Sequence, residues 1–153
     1  MSPVIESKPA PYTSVVDALL ILVRDGKVLL AQRQGTGYAD GMWNLPSGKL
    51  EDGETVTQAA IREGLEEIGL TLTEDALRFV HLIHYRNHLG HARVGVFFEA
   101  TRWEGEPCNA EPHKCAQIAW WPLDQLPPGT YPYTAEGLAS YRRSEPYSTV
   151  GWR

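Results

Sequence analysis

Residues 62–70 read Arg-Glu-Gly-Leu-Glu-Glu-Ile-Gly-Leu. On a helix, Glu63, Glu66 and Glu67 stand in an i, i+3, i+4 relation and project three carboxylates from one face. Alone, like charges so spaced weaken a helix by about 0.2–0.5 kcal/mol per pair, whereas a divalent cation turns the repulsion into coordination. All-oxygen ligation suits hard Mg2+ or Mn2+ rather than zinc, and Mg2+ most often serves bound phosphates. Phosphoryl or pyrophosphoryl chemistry is therefore the leading class. A metal here would neutralise phosphate charge and lower the pKa of an attacking water, which one glutamate could orient or deprotonate. Arg62 can hold a carboxylate in a fixed orientation by a bidentate contact. The competing reading is a solvated Glu-rich face that binds nothing.

The elements that must position these groups are legible around them. Thr55 and Gln58 form a capping box and Gly69 is a stop signal, so the helix is expected over 56–68. Asp52 and Glu54 sit near its positive end. Ile61, Leu65 and Ile68 make the i, i+4, i+7 stripe expected to face the core, leaving an acidic front. Upstream, the apolar run 15–23 and the run 27–33 flank Asp25-Gly26 and predict a hairpin. A loop with three glycines, residues 34–41, leads to a short strand at 42–46 ended by Pro46. Downstream, 78–86 and 92–102 predict a second hairpin, 115–121 a shorter strand, and 134–143 a closing helix capped by Thr134. Strands, helix, strands, helix point to a mixed α/β fold, and two hairpins disfavour a purely parallel sheet.

The chain has 153 residues, enough for one domain, with 42% hydrophobic and 22% charged residues. Residues 1–13, with Pro3, Pro9 and Pro11, are expected to form a mobile arm ahead of a single domain over 14–153. A net charge of -5 makes a nucleic-acid polymer an unsuitable partner, but a metal or a local basic group can reverse the sign at one site for a small phosphorylated ligand. Two cysteines, Cys108 and Cys115, point to a reducing cytoplasm rather than a disulfide scaffold, and their spacing fits no zinc finger or ribbon. No export signal or run long enough to span a membrane is expected.

Gly48, Glu54 after five intervening residues, Arg62-Glu63 after seven more, Glu66-Glu67 and Gly69-Leu70 resemble the signature of the Nudix hydrolases. All seven fixed-identity positions match over residues 48–70. Trp43 to Gly48 before it and the Trp-Trp-Pro-Leu-Asp-Gln-Leu-Pro stretch at 120–127 are also similar to the family. The resemblance implies an α/β/α sandwich around a mixed, largely antiparallel-paired central sheet, and metal-dependent hydrolysis of a diphosphate linked to another group, for which the oxygen donors suit Mg2+, with Mn2+ as an alternative. It implies Glu63, Glu66 and Glu67 as metal ligands, Glu63 or Glu66 close to the nucleophilic water, Arg62 orienting them, and the backbone carbonyl of Ser47 as a further ligand. Glu111 matches a loop position where some members supply another carboxylate, and Arg33 one where some contact substrate. Ser47 replaces the usual second glycine, and Gly64 stands where an apolar residue is usual; a backbone carbonyl survives the first change, and the second touches no ligand.

Tyr38 and Trp43 are candidates for stacking on a nucleobase, against Trp43 being simply core. Of the adjacent Trp120 and Trp121, one is expected in the core. His81, His84, His88 and His91 would form a strip on a helix, but their neighbours are strand formers, which sends His81 and His84 to opposite faces. Two functions follow: a hydrolase releasing a nucleoside monophosphate or another phosphate ester, or a nucleotide-binding module without turnover. Nothing in the sequence marks an interface, although the Pro-containing arm could exchange between two copies in a homodimer.

Overall fold

The run Val-Val-Asp-Ala-Leu-Leu-Ile is apolar on both of its faces, which in a strand demands cover on both sides. The computed structural model, which describes residues 3 and 7–152, supplies that cover. Strand β1 (Val15–Ile21) lies inside a five-stranded sheet and pairs parallel with β7 (Ala92–Ala100) and antiparallel with β5 (Ser47–Lys49). β7 pairs antiparallel with β6 (Leu77–Arg86), and β6 pairs parallel with β9 (Tyr147–Val150) at the far edge. Ala18, Val96 and Phe98 pack against Ala59 and Ala60 of helix α1 (Val56–Ile68). Leu19, Ile21, Ile83 and Phe97 pack with Tyr133 and Leu138 of helix α2 (Pro132–Arg142). Strand alternation thus sends neighbouring residues to opposite layers, and the result is the α/β/α sandwich with a mixed sheet.

A second, antiparallel sheet is built on β3 (Lys27–Arg33), which pairs with β2 (Val23–Arg24), β4 (Trp43–Asn44) and β8 (Cys115–Pro122). The first expected hairpin is therefore much shorter than its apolar runs suggest. Asp25 (φ 52°) and Gly26 (φ 74°) make the tight turn, but only Val23 and Arg24 pair with β3 in register. The chain leaves the first sheet at Leu22, whose carbonyl still accepts from Leu29 N–H, because both edges of β1 are occupied by β5 and β7. Pro46 likewise separates β4 from β5, so the short strand expected at 42–46 hands the chain from one sheet to the other.

Helix α1 begins and ends where its caps predict, with Thr55 and Gln58 bonded reciprocally and Gly69 left-handed at φ 69°. Its buried face is rotated from the expected one. Leu65 is 55% exposed, while Ala59, Ala60, Glu63, Gly64 and Ile68 are buried. Gly64 is the cause: a Cβ there would lie 3.0 Å from Leu72 and 3.3 Å from Leu20, so the missing side chain lets the helix settle on that face and turns Leu65 outward. Helix α2 starts two residues before the expected cap, with Tyr131 as N-cap and Pro132 at its first position. Thr134 lies inside it, buried, and its hydroxyl donates to the Asn44 side-chain carbonyl instead of capping. Residues 7–13 of the expected arm are exposed and take neither helix nor strand, while residues 1, 2, 4, 5 and 6 lie outside the described residues. No helix among the described residues is long and apolar enough to cross a membrane.

Candidate active site

Position 48 is where the carboxylate helix meets the sheet. A Cβ on Gly48 would sit 1.9 Å from Glu63 Oε1, so only glycine lets this carboxylate lie against β5. Gly48→Ala is expected to lower stability by about 1–3 kcal/mol through overpacking, a fall in Tm of about 2–10 °C at this size. Thermal unfolding followed by circular dichroism checks this, and an unchanged melt would contradict the contact.

Ser47 stands opposite Leu19 in a non-hydrogen-bonded pair, because the flanking bond runs from Leu20 N–H to Pro46 C=O. Its N–H and C=O consequently point off the open edge of β5. The N–H donates to Glu67 Oε2 at 2.9 Å, which leaves the carbonyl on the same side as the helix carboxylates. From the next outward-facing residue, Lys49, the carbonyl accepts from Arg62 Nη2 at 3.1 Å.

Arg62 ties these groups together. Its Nε and Nη2 grip Glu54 at 3.1 and 2.8 Å, and its Nη1 reaches Glu63 at 2.6 Å and Glu66 at 3.4 Å. The grip holds the Glu54 carboxyl below its ordinary value and keeps Arg62 firmly protonated. Burial pushes the Glu63 carboxyl up, against the pull of Arg62. Burial and then the neighbouring charge of Glu63 push Glu67 up well above the ordinary carboxylate value, with Glu111 adding to the repulsion.

Glu66 stands on the rim, its side chain 50% exposed. Glu111 comes from the loop before β8, which is fastened to the end of α1 by Cys108 N–H to Ile68 C=O and Ala110 N–H to Glu67 C=O. Among the described residues no three carboxylates already converge at metal-ligand spacing: Glu63 is turned to Arg62, Glu67 to Ser47 and Glu66 to the rim. The donor set nevertheless fits a hard divalent cation. Its members are carboxylates with one outward backbone carbonyl, two of the carboxyls resist ionising where they are, and among the described residues no basic side chain is paired with Glu67.

These groups line a cleft of about 630 Å³ that also contains Arg33, Asn44, His113 and Lys114. A second cleft of about 690 Å³ adjoins it and shares Arg33, Asn44 and Ser47. Its walls include Tyr38, Tyr85, Tyr131 and Tyr133, with Asp17 at its base. Asp17 is buried and takes a two-pronged contact from Arg93 at 2.7 and 2.9 Å and a bond from the Tyr133 hydroxyl at 3.2 Å. Tyr133 fits because residue 95 is glycine, where a Cβ would lie 2.0 Å from the hydroxyl oxygen.

The candidates for substrate contact divide. Arg33 lies between the two clefts, where its Nε and Nη2 donate to Tyr38 C=O and Thr36 Oγ1. Tyr38 is exposed at the mouth of the second cleft, with its hydroxyl bonded to that of Tyr131 at 2.9 Å. Trp43 is different: it is 6% exposed and packs edge-to-face on Trp121 at 5.3 Å, so it is core and presents no face to a base. Trp120 packs on the other side of β8, stacked on Trp103. His81 and His84 do not form a metal strip. His81 is fully buried between Glu145 C=O and Ser148 Oγ, and His84 lies against Trp152. Asp17, Asn44, Arg93, Tyr131 and Tyr133 were not singled out by the sequence reading. The one available signal was Asp17, a lone carboxylate inside an apolar strand.

A NUDIX domain model matches residues 11–141. The oxidized purine nucleoside triphosphate hydrolase of Danio rerio is 35% identical over 118 residues, covering 76% of this chain and 71% of that protein. The 8-oxo-dGTP diphosphatase of Escherichia coli (strain K12) is 29% identical over 119 residues, covering 76% of this chain and 90% of the relative. Among solved structures, the MutT NUDIX hydrolase from Burkholderia pseudomallei superposes with a TM-score of 0.75 at 29% identity, covering 84% of this chain and 98% of that one. The family match spans most of the chain and includes the helix, the glycine contact and the carboxylate cleft, and the chain belongs to the Nudix hydrolases.

Proposed function

We propose that the protein is a Mg2+-dependent pyrophosphohydrolase that cleaves a nucleoside triphosphate, or a small molecule linked to a nucleoside diphosphate, by attack of water on phosphorus. The observation that carries this reading is the pair of carboxyls, Glu63 and Glu67, packed against Gly48 and the Ser47 N–H in a cleft that adjoins a tyrosine-walled one.

Glu63, Glu66, Glu67 and the Ser47 carbonyl would hold the metal, with Glu111 as a further ligand from its loop; Mn2+ would serve in place of Mg2+. When bound, the ion supplies charge neutralisation at the bridging phosphates and acidifies a water. The chain's own residues do the rest. Arg62 keeps Glu63 in one orientation through the Glu54 and Lys49 contacts. Glu66 or Glu63 accepts the proton as the water oxygen bonds to phosphorus and the anhydride P–O bond breaks, giving a nucleoside monophosphate and pyrophosphate from a triphosphate. Arg33, at the junction of the clefts, is placed to meet the phosphates. Tyr38 and Tyr131 offer aromatic surface for a base, worth about 1–3 kcal/mol per stacked base. The names of the relatives, which act on oxidized purine nucleoside triphosphates and 8-oxo-dGTP, support a nucleoside triphosphate as the substrate class. Two unpaired thiols, Cys108 and Cys115, support a reducing, cytoplasmic setting.

The test is product release from a panel of nucleoside triphosphates and nucleoside diphosphate conjugates with Mg2+, with Mn2+ and with EDTA. Monophosphate should appear only with the metal. A nucleotide that raises Tm without being cleaved would favour a binding module instead.

A further inference from the structure

The arginine and lysine side chains that line the carboxylate cleft, Arg33, Arg62 and Lys114, are not equivalent. Every nitrogen of the Arg62 guanidinium already contacts a carboxylate or the Lys49 carbonyl. Arg33 uses Nε and Nη2 to hold the Thr36–Tyr38 loop. Among the described residues Lys114 has only Glu111, with Nζ 3.9 Å from Oε2, beyond hydrogen-bond length, and its side chain is 60% exposed.

The backbone beneath that loose ammonium is fixed from several sides. Lys114 N–H donates to Glu111 C=O at 2.9 Å, and Lys114 C=O accepts from Gln34 N–H at 3.0 Å. Gln34 Nε2 also donates to Pro112 C=O at 2.6 Å, and Asn109 Nδ2 to Cys115 C=O at 2.8 Å. Gly35 backs onto His113 C=O so closely that a Cβ would lie 2.7 Å away. Lys114 is thus an exposed, weakly paired cation on a well hydrogen-bonded backbone, in a cleft that also holds Glu51, Glu63, Glu66, Glu67 and Glu111. Its exposed pairing with Glu111 is weak enough to be exchanged for a phosphate oxygen, which carries more charge and can reach the ammonium directly.

We infer that Lys114 contacts a phosphate of the substrate and thereby favours ligands with a longer phosphate chain over monophosphates. The inference rests on the pyrophosphohydrolase reading for what the cleft binds. Calorimetry with Mg2+ and a nucleoside triphosphate whose α,β-bridging oxygen is replaced by methylene measures the contact without turnover. K114A is expected to weaken binding by about 10-fold and K114R by no more than about 3-fold, with the matching monophosphate affected less than the triphosphate. K27A, which removes the same charge at the opposite end of β3, should bind like the unaltered protein. With a cleavable substrate, K114A should raise KM in parallel and leave kcat at saturation within about 3-fold.

Equal Kd values for K114A and the unaltered protein would overturn the inference, as would a fall in kcat with KM unchanged or a failure of the unaltered protein to bind the analogue. If the unaltered protein binds the analogue but cleaves no substrate, the pyrophosphohydrolase reading fails while the Kd contrast still decides the role of Lys114.

Discussion

Glu67→Gln is expected to cut metal-supported turnover by about 10²–10⁴-fold and, in the absence of metal, to raise the melting temperature. The two effects have one origin. Glu67 is held by the Ser47 N–H beside Glu63, with no basic partner among the described residues, and its carboxyl is pushed well above the ordinary value of 4.5. The folded protein therefore binds this proton more tightly than the unfolded chain does. Stability from this group is complete below about 4.5, falls as pH rises through the raised value, and stays low once the carboxylate is ionised. Gln removes that loss but also removes a proposed metal ligand. In EDTA, the Tm of the unaltered protein should decline from pH 5 to pH 8 more steeply than that of Glu67→Gln, and Mg2+ should restore Tm only in the former. Unchanged turnover in both Glu67→Gln and Glu66→Gln would sink the metal assignment.

Arg62→Lys should cost about 100-fold in turnover although it preserves charge, because a misplacement of the order of 1 Å in a catalytic group is worth that much. The planar fork of Arg62 meets Glu54 with two nitrogens while also reaching Glu63 and the Lys49 carbonyl, and a single ammonium cannot span those directions. Glu63 then loses its orientation against Gly48, and β5 loses a tie to α1. Measured kcat should fall more than KM rises, and Tm should drop. A lysine variant with unaltered kcat would show that Arg62 serves only as a surface partner for Glu54.

How much of this was readable from the residues depended on whether the determinant was local. The ends of α1 were legible because Thr55, Gln58 and Gly69 satisfy backbone groups within a few residues of themselves. The carboxylate cleft was legible for the same reason, since Glu63, Glu66 and Glu67 share one helix. The buried face of α1 was not, because Gly64 packs on Leu20 and Leu72, and only the assembled layers reveal that a missing Cβ outweighs the apolar stripe through Leu65. The short first hairpin followed from competition for the edges of β1 by β5 and β7, strands distant in sequence. β9 escaped notice because Tyr-Ser-Thr-Val is short and half polar, and its pairing is with β6. Trp43 and Asn44 are neighbours in β4, yet the first fills the core against Trp121 and the second faces both clefts; strand alternation requires that they differ but does not say which is which.

The loop fastened to the end of α1 bears on how such a protein can diverge. Between Cys108 and Cys115 the backbone is held at one end by the Ile68 and Glu67 carbonyls and at the other by Gln34, so an inserted or deleted residue would pull Glu111 and the helix end out of alignment together. Side chains at 111, 113 and 114, which line the cleft, can be exchanged without moving this backbone, whereas a change of loop length cannot be absorbed. A change of length would disturb less at Glu104–Glu106 just upstream, which is exposed and tied only by the surface Arg24–Glu106 pair. The cleft wall is thus open to changes of side chain, and its neighbour to changes of length.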